Sequence, residues 1–243
     1  YSDENGRVSL GTYSILKIES SLIKAGFSRD EVIVADPTKL DKVIGEDTKA
    51  IGVTCMDPLG VGYGSGIVYM AMMLYGIIPK GRSYMSKAFL DVINHPNVKK
   101  YKPKLIVGGE ASWQIIDLNM QEKLGIDTVV LGEGEKVAPE LFKKAVEGKE
   151  LPKFVNGVPV DAEEIPPILT PSIGGLVEIT RGCGRGCKFC TPTLLKFRTI
   201  PLDTILKEVE FNLQNGAKSI GLHSEDFLRY GSKTLIPEED KIL

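Results

Sequence analysis

Cysteine and histidine are scarce in this sequence of 243 residues, which contains four cysteines and two histidines. Three of the cysteines, Cys183, Cys187 and Cys190, fall within one segment of eight residues. A secreted disulfide framework spreads an even set of cysteines along a short chain, and that pattern is absent here. We therefore expect reduced thiols and a cytoplasmic location.

The sequence also lacks an excess of charge of either sign, since 30 Lys and Arg residues stand against 32 Asp and Glu residues. This balance provides no broad basic surface, so we expect no nucleic-acid binding by this region. The longest apolar stretch, 67–78, is too short to span a bilayer, and residues 1–5 lack the basic start of a signal peptide. We expect no association with a membrane. Because the first residue is Tyr1 and not Met, we also expect that earlier residues are missing.

Residues 1–148 alternate short β-branched segments with amphipathic segments of helical period. Strands separated by helices of this length predict an α/β fold with a Rossmann-like, doubly wound parallel sheet. We therefore predict one domain over 1–148. Its predicted helices cover 12–25, 37–44, 67–75, 86–93, 112–124 and 137–147, and its predicted strands cover 31–36, 50–55, 104–108 and 127–131.

The character of the chain changes at residues 149–173, which contain five prolines and no regular period and are predicted to be an interdomain linker. Residues 174–243 begin a second domain with a strand over 176–180, a helix over 202–214 and a strand over 218–222. A βα barrel of eight units takes about 250 residues. The second domain therefore holds only the start of such a barrel, and we expect the barrel to be truncated.

The three clustered cysteines have the spacing of a metal site. Three and then two residues separate them, so their thiolates can each hold one iron of a single cubane cluster. No fourth thiol lies nearby, which leaves the fourth iron open to a small molecule, as in catalytic metal sites. The alternatives are a structural zinc site, for which only the remote His223 offers a fourth ligand, and thiols without a metal.

The motif Cys-x3-Cys-x2-Cys with Phe189 before its last cysteine resembles the radical S-adenosylmethionine (SAM) superfamily. The resemblance implies a 4Fe–4S cluster on the three cysteines, cleavage of SAM to a 5′-deoxyadenosyl radical, and a position for Phe189 beside the adenine. It also implies that Glu225 or Asp226, after the next strand, binds the SAM amino group, the alternative being an acidic loop that faces solvent. A reductant such as flavodoxin or ferredoxin is the implied partner.

The order of the two domains resembles the cobalamin-binding branch of the radical SAM family, in which a Rossmann-like domain precedes the cysteine domain. This resemblance implies cobalamin as a further cofactor. It implies no histidine ligand to cobalt, because Gly6 and Val8 occupy the places of the Asp and His in the Asp-x-His-x-x-Gly motif. Doubly wound sheets bind ligands at the carboxyl ends of their strands. The expected cobalamin contacts are Thr54, Met56, Gly108, Gly109, Gly132, Glu133 and Gly134.

The activity that this resemblance implies is methyl transfer from cobalamin to a substrate carbon. The alternatives are a cobalamin-dependent rearrangement or cyclisation, radical SAM methylthio transfer, and a non-catalytic sensor that binds cobalamin or a cluster. Methylthiotransferases resemble this arrangement but carry three further cysteines in the first domain for a second cluster, whereas this chain offers only Cys55 there. This shortage favours methyl transfer over methylthio transfer.

Overall fold

The computed structural model describes residues 2–77, 83–188, 190 and 196–241. These residues form two compact units. We call them the sheet unit, which contains 3–7 and 35–158, and the cysteine unit, which contains residue 2, 8–34 and the described residues from 159 onward. The units differ from the predicted domains, because residues 8–34 belong with the cysteine unit although the sequence pattern placed them in the first domain.

Helices and strands alternate along most of the described chain. The helices are α1 (Tyr13–Lys24), α2 (Leu40–Val43), α3 (Tyr63–Leu74), α4 (Tyr84–Ile93), α5 (Pro96–Tyr101), α6 (Trp113–Asp117), α7 (Gln121–Leu124), α8 (Ala138–Val146) and α9 (Leu202–Gln214). The strands are β1 (Ala50–Thr54), β2 (Lys104–Gly108), β3 (Thr128–Leu131), β4 (Phe154–Asn156), β5 (Leu176–Glu178), β6 (Thr180–Arg181), β7 (Arg198–Thr199) and β8 (Gly221–His223).

The sheet unit is built on parallel strands in the order β1–β2–β3–β4. Alternate side chains of a strand point to opposite faces of its sheet. Val107 of β2 belongs to one buried core together with Ile93 of α4, whereas its neighbour Ile106 belongs to another core together with Leu141 of α8. Helices therefore cover both faces of a parallel sheet, which confirms the predicted Rossmann-like fold class.

The strand β4 lies inside the stretch that was predicted to be a linker. It extends the sheet at the edge, where Val155 pairs with Val130 of β3. Pro152 and Pro159 flank the strand, and prolines are tolerated at the margins of an edge strand because no ladder hydrogen bond is needed there. The proline-rich composition of this stretch therefore predicted a linker, whereas pairing with β3 makes part of it a short strand.

Two other predicted elements differ from the structure. Residues 31–36 form extended chain with a single bridge, from Ala35 to Arg7, because β-branched residues favour extended backbone but a ladder needs a partner strand. The predicted helix over 112–124 is divided into α6 and α7. The division occurs where Asn119 adopts φ +51°, a left-handed value that ends an α-helix.

The cysteine unit contains a βαβ element. Strand β5 pairs in parallel with β8, and α9 lies between them in the chain, which is the predicted order of strand, loop, helix and strand. Strand β6 pairs antiparallel with β7, so that Arg181 lies opposite Arg198. The segment that carries the three cysteines therefore leaves at β6 and returns at β7. Val177 and Ile205 share the core beneath these strands.

Helix α3 is apolar but exposed. It carries no charged side chain and none of its residues is buried, with Tyr63 and Leu74 at its two ends 84% and 80% exposed. A helix that is apolar on all sides is ordinarily buried. Across the described ranges, no helix combines the length and apolar character needed to cross a membrane.

Candidate metal centre

The cysteine loop begins directly after β6. None of Cys183, Cys187 and Cys190 is in a disulfide, and all three are partly exposed. Gly182 and Gly184, on the two sides of Cys183, have φ values of +73° and +71°, which side-chain-bearing residues rarely adopt. The two glycines therefore allow the backbone to turn tightly before and after Cys183.

The loop contains thiols that could bind a metal, but its described residues are not already arranged around a metal position. Among the described residues, no group of three or more His, Cys, Asp or Glu side chains is arranged to hold a metal ion. Within the loop, the backbone N–H of Cys190 donates to the carbonyl of Cys187 at 3.2 Å. Cysteine thiols are soft, anionic donors when ionised, so the donor chemistry fits an iron–sulfur cluster. Ligation by these three residues stays a prediction.

The turn after β8 lies beside this loop. The hydroxyl groups of Thr180 in β6 and Ser224 are 2.5 Å apart, and the Asp226 carboxylate accepts a hydrogen bond from Arg185 inside the loop. Glu225 Oε1 lies 4.0 Å from Nε2 of His223. The structure thus places Asp226 against the cysteine loop, where it is already paired to an arginine, and Glu225 next to it in the same turn. Their role in SAM binding stays a prediction, and Phe189 lies outside the described residues.

Arg229 is a contact of the loop that the sequence pattern did not indicate. It follows the turn after β8, is only 3% exposed, and donates through Nη1 to the backbone carbonyl of Cys183 at 2.7 Å. No local motif marks it, because 46 residues separate it from Cys183. An open cavity of about 690 Å³ lies beside these groups, and its lining includes Gly184, Phe197 and Arg229. This volume is within the usual range for a small-molecule site.

The strand that enters the loop is held by a buried ion pair. Arg181 donates to both oxygens of Glu178, with distances of 2.7 Å from Nε and 2.8 Å from Nη2. Such two-point pairing fixes the guanidinium in one orientation. Across the short ladder, Arg198 donates to the carbonyl of Val160. Both arginines at the base of the loop are therefore already paired, Arg181 with a carboxylate and Arg198 with a backbone carbonyl.

In the sheet unit, hydrogen bonds join the carboxyl ends of β1 and β2. Both the backbone N–H and the thiol of Cys55 donate to the carbonyl of Gly108, at 3.0 and 3.2 Å. Burial, and then the negative charge of Asp57, raise the pKa of the Cys55 thiol to about 12. A thiol with such a pKa stays protonated at neutral pH in the metal-free protein.

The predicted cobalamin contacts lie along one edge of the sheet. Thr54 ends β1 and Met56 comes soon after it, Gly108 ends β2 with Gly109 after it, and residues 132–134 follow β3. Thr54 and Met56 are exposed, whereas Glu133 is buried. Carboxyl ends of parallel strands meet at the same edge, so the sheet brings these separate segments together. Binding of cobalamin to them stays a prediction.

A polar network that the sequence pattern did not reveal organises the loop after β1. The buried Asp57 accepts hydrogen bonds from the backbone N–H of Gly62 and from Nε2 of Gln114, each at 2.9 Å, and from the Ser65 hydroxyl. Burial raises the pKa of Asp57, but these hydrogen bonds together outweigh it and leave the pKa below its ordinary value. Gln114 also accepts from the N–H of Leu59. The loop is thereby anchored to α6.

Comparisons with known proteins relate the chain to methylthiotransferases, although no family model matches it. It is 33% identical over 111 residues to a ribosomal protein uS12 methylthiotransferase of Thermosipho africanus, which covers 43% of the chain and 24% of that protein. It is 28% identical over 161 residues to the enzyme of the same name from Desulforamulus reducens, covering 64% of the chain and 36% of that protein. It is 28% identical over 143 residues to a tRNA-2-methylthio-N(6)-dimethylallyladenosine synthase of Flavobacterium psychrophilum, covering 55% of the chain and 30% of that protein.

These matches span only about a quarter to a third of the length of the curated relatives. They support an enzyme of the radical SAM superfamily with an iron–sulfur cluster. Among the predicted activities, they favour the alternative of methylthio transfer over cobalamin-dependent methyl transfer, which finds no support in them.

Proposed function

We propose that this chain is part of a radical SAM enzyme that binds a 4Fe–4S cluster through Cys183, Cys187 and Cys190 and transfers a methylthio group. The observation that carries the proposal is the set of three partly exposed cysteines, none in a disulfide, at the spacing of the radical SAM motif on a loop whose turns are made by glycines. The similarity to methylthiotransferases supports the reaction class.

The residues around the loop have distinct tasks in this proposal. When bound, the cluster would supply the electron that cleaves the sulfonium of SAM. The three cysteines would hold it and leave one iron open for SAM. Glu225 is suited to accept hydrogen bonds from the SAM amino group, since it follows β8 beside the loop. Asp226 is less suited to that task, because Arg185 already occupies its carboxylate.

Cobalamin-dependent methyl transfer is a second candidate, and one observation favours it. The sheet unit contains a single cysteine, Cys55, which is buried and has a raised pKa. It therefore does not offer the number of thiols that the second cluster of a methylthiotransferase would need. The exposed, glycine-containing loops at the carboxyl edge of the sheet are consistent with a bound cofactor there.

Anaerobic reconstitution of the full chain with iron and sulfide tests the cluster assignment. Removing the three loop thiols with Cys183→Ala, Cys187→Ala and Cys190→Ala should abolish bound iron and the formation of 5′-deoxyadenosine from SAM under a strong reductant. The matched control is Cys55→Ala, which removes the only other cysteine and should keep both. Iron retained by the triple variant, or lost from the control, would contradict the proposal.

A second experiment distinguishes methylthio transfer from cobalamin-dependent methyl transfer. The wild-type chain is passed through a desalting column after incubation with cobalamin, and the visible absorption of the protein fraction is recorded. Methylthio transfer predicts no retained cobalamin. Retention in a 1:1 ratio would replace it with the second candidate, whereas the cluster assignment would be unaffected by either result.

A further inference from the structure

Arg229 has a set of partners that converge on the first cysteine of the loop. Its Nη1 donates to the carbonyl of Cys183 at 2.7 Å, and its Nε donates to the carbonyl of Thr234 at 2.9 Å. Its guanidinium also lies 4.1 Å from the ring centre of Phe197, which is a cation–π distance. Contacts with Thr234 and Phe197 thus fix the side chain, and its third contact is with the Cys183 peptide.

Asp226 connects this arginine to a second point on the loop. One of its carboxylate oxygens, Oδ2, lies 3.8 Å from Nη1 of Arg229 and accepts a hydrogen bond from Nη2 of Arg185. Arg185 is two residues after Cys183, so the segment after β8 contacts the loop at Cys183 and again two residues later. We call Arg185, Asp226 and Arg229 the clasp.

Burying a guanidinium is costly unless hydrogen bonds and an opposite charge compensate it. Arg229 is 3% exposed and has both kinds of compensation, in a position where its charge adjoins the backbone of a predicted cluster ligand. Groups beyond the direct ligands orient those ligands and tune the metal. A fixed positive charge favours the more negative, reduced form of a nearby redox centre.

We propose that Arg229 is a positioning residue for the iron–sulfur cluster, which it serves by fixing the Cys183 peptide and by making the cluster easier to reduce. This inference rests on the proposed function, since it presumes that the loop binds a cluster. Asp226 is the partner that keeps Arg229 and Arg185 in place, and its carboxylate serves the loop and not SAM.

The test compares Arg229→Met, which removes the charge, with Arg229→Lys, which keeps the charge but loses the two-pronged geometry. Lys207→Met is the matched control, because it removes an exposed cation from α9 of the same unit, outside the lining of the cavity beside the loop. The measurements are iron content after anaerobic reconstitution, the electron paramagnetic resonance spectrum of the reduced cluster, and its midpoint potential in a dye titration.

For Arg229→Met we expect an iron affinity lower by about 10- to 100-fold and a midpoint potential shifted to more negative values. Arg229→Lys should keep the potential near the wild-type value but alter the spectrum. The control should match the wild type in all three measurements. Wild-type iron content, spectrum and potential in Arg229→Met would overturn the proposal. If Arg229→Met does not fold, Arg229→Lys decides, and an unaltered spectrum in that variant would overturn it.

A failure of the proposed function is distinguishable from a failure of this inference. If the wild-type chain binds no cluster, the proposed function fails, and the metal-free protein still reports on the clasp. The alkylation rate of Cys183, mapped by mass spectrometry, should then rise in Arg229→Met relative to Lys207→Met. Equal rates in the two variants would show that Arg229 does not hold the loop.

Discussion

Lys17 in α1 and Glu208 in α9 form a buried ion pair between residues that are 191 positions apart in the chain. Their Nζ and Oε1 atoms are 2.5 Å apart, and the side chains are 3% and 2% exposed. Lys17 also donates to the carbonyl of Pro166 at 2.8 Å, and Glu208 accepts from the Tyr13 hydroxyl at 2.6 Å and from the N–H of Ile168 at 3.0 Å. Every charge in this group has several partners, which is what allows it to be buried.

Removing one partner of this pair should destabilise the cysteine unit strongly. Lys17→Met leaves the Glu208 carboxylate buried without its cation, so we expect the free energy of unfolding to fall by about 3–5 kcal/mol in equilibrium urea unfolding. Lys87→Met is the control, because Lys87 pairs with Asp91 at the same 2.5 Å but on an exposed surface. It should cost no more than about 0.5 kcal/mol. Similar losses in the two variants would contradict this interpretation.

The raised pKa of Cys55 predicts a loss of stability in alkali. An unfolded thiol titrates near pH 9 and the buried thiol near pH 12, so above pH 9 the unfolded state releases a proton that the folded state keeps. The contribution of Cys55 is therefore fully present below pH 9 and is lost between pH 9 and pH 12. Between pH 8 and pH 10, the free energy of unfolding should fall by about 1.4 kcal/mol more in the wild type than in Cys55→Ala.

Urea unfolding of both proteins at the two pH values measures this difference. The subtraction removes other groups that titrate in the same range, including Tyr13, whose pKa is raised by burial and then by the charge of Glu208. An equal fall in wild type and Cys55→Ala would show that the Cys55 thiol is not protected in the folded state.

Two glycines with positive φ should respond differently to alanine. Gly109 has φ +102°, and a Cβ atom there would lie 2.5 Å from the carbonyl oxygen and 2.6 Å from the nitrogen of Cys55. Gly125 has φ +71° but open space around the position of a Cβ atom. We expect Gly109→Ala to cost about 3 kcal/mol or more, since backbone strain adds to a steric clash, and Gly125→Ala about 1 kcal/mol from strain alone. Thermal and urea unfolding would measure both, and equal costs would contradict the close contact between the ends of β1 and β2.

Because α3 is exposed, we expect it to tolerate substitution of its apolar residues by lysine. Val68 and Leu74 are 57% and 80% exposed, so Val68→Lys and Leu74→Lys should each change the free energy of unfolding by less than about 0.5 kcal/mol. Phe89→Ala in α4 is the contrast, because Phe89 is buried and its truncation should cost about 3–5 kcal/mol. A loss above about 2 kcal/mol from either lysine would show that α3 packs against the rest of the chain.

Much of the fold was predictable because local patterns dominate it. The span of β2 and the span of α9 agree residue for residue with prediction, since a β-branched run and a helical period each extend to a clear stop. The prediction from composition was wrong where strand pairing determines the structure. Prolines suggested a linker where β4 forms, and β-branched residues suggested a strand at 31–36, where the extended chain has only one bridge. The grouping of α1 with the cysteine unit depends on buried contacts such as that of Lys17, which no local pattern reveals.

By itself the sequence determined the spacing of the three cysteines, the parallel α/β architecture of the sheet unit and the edge where its glycine-containing loops meet. These features depend on residues that are neighbours in the chain or share one period. Only the tertiary structure decided that Asp226 is occupied by Arg185, that Arg229 holds the Cys183 peptide, and that Asp57 anchors the loop after β1. The reason is physical, because these charged groups are stabilised by donors and acceptors from segments that are distant in the chain, and those segments meet only in the folded protein.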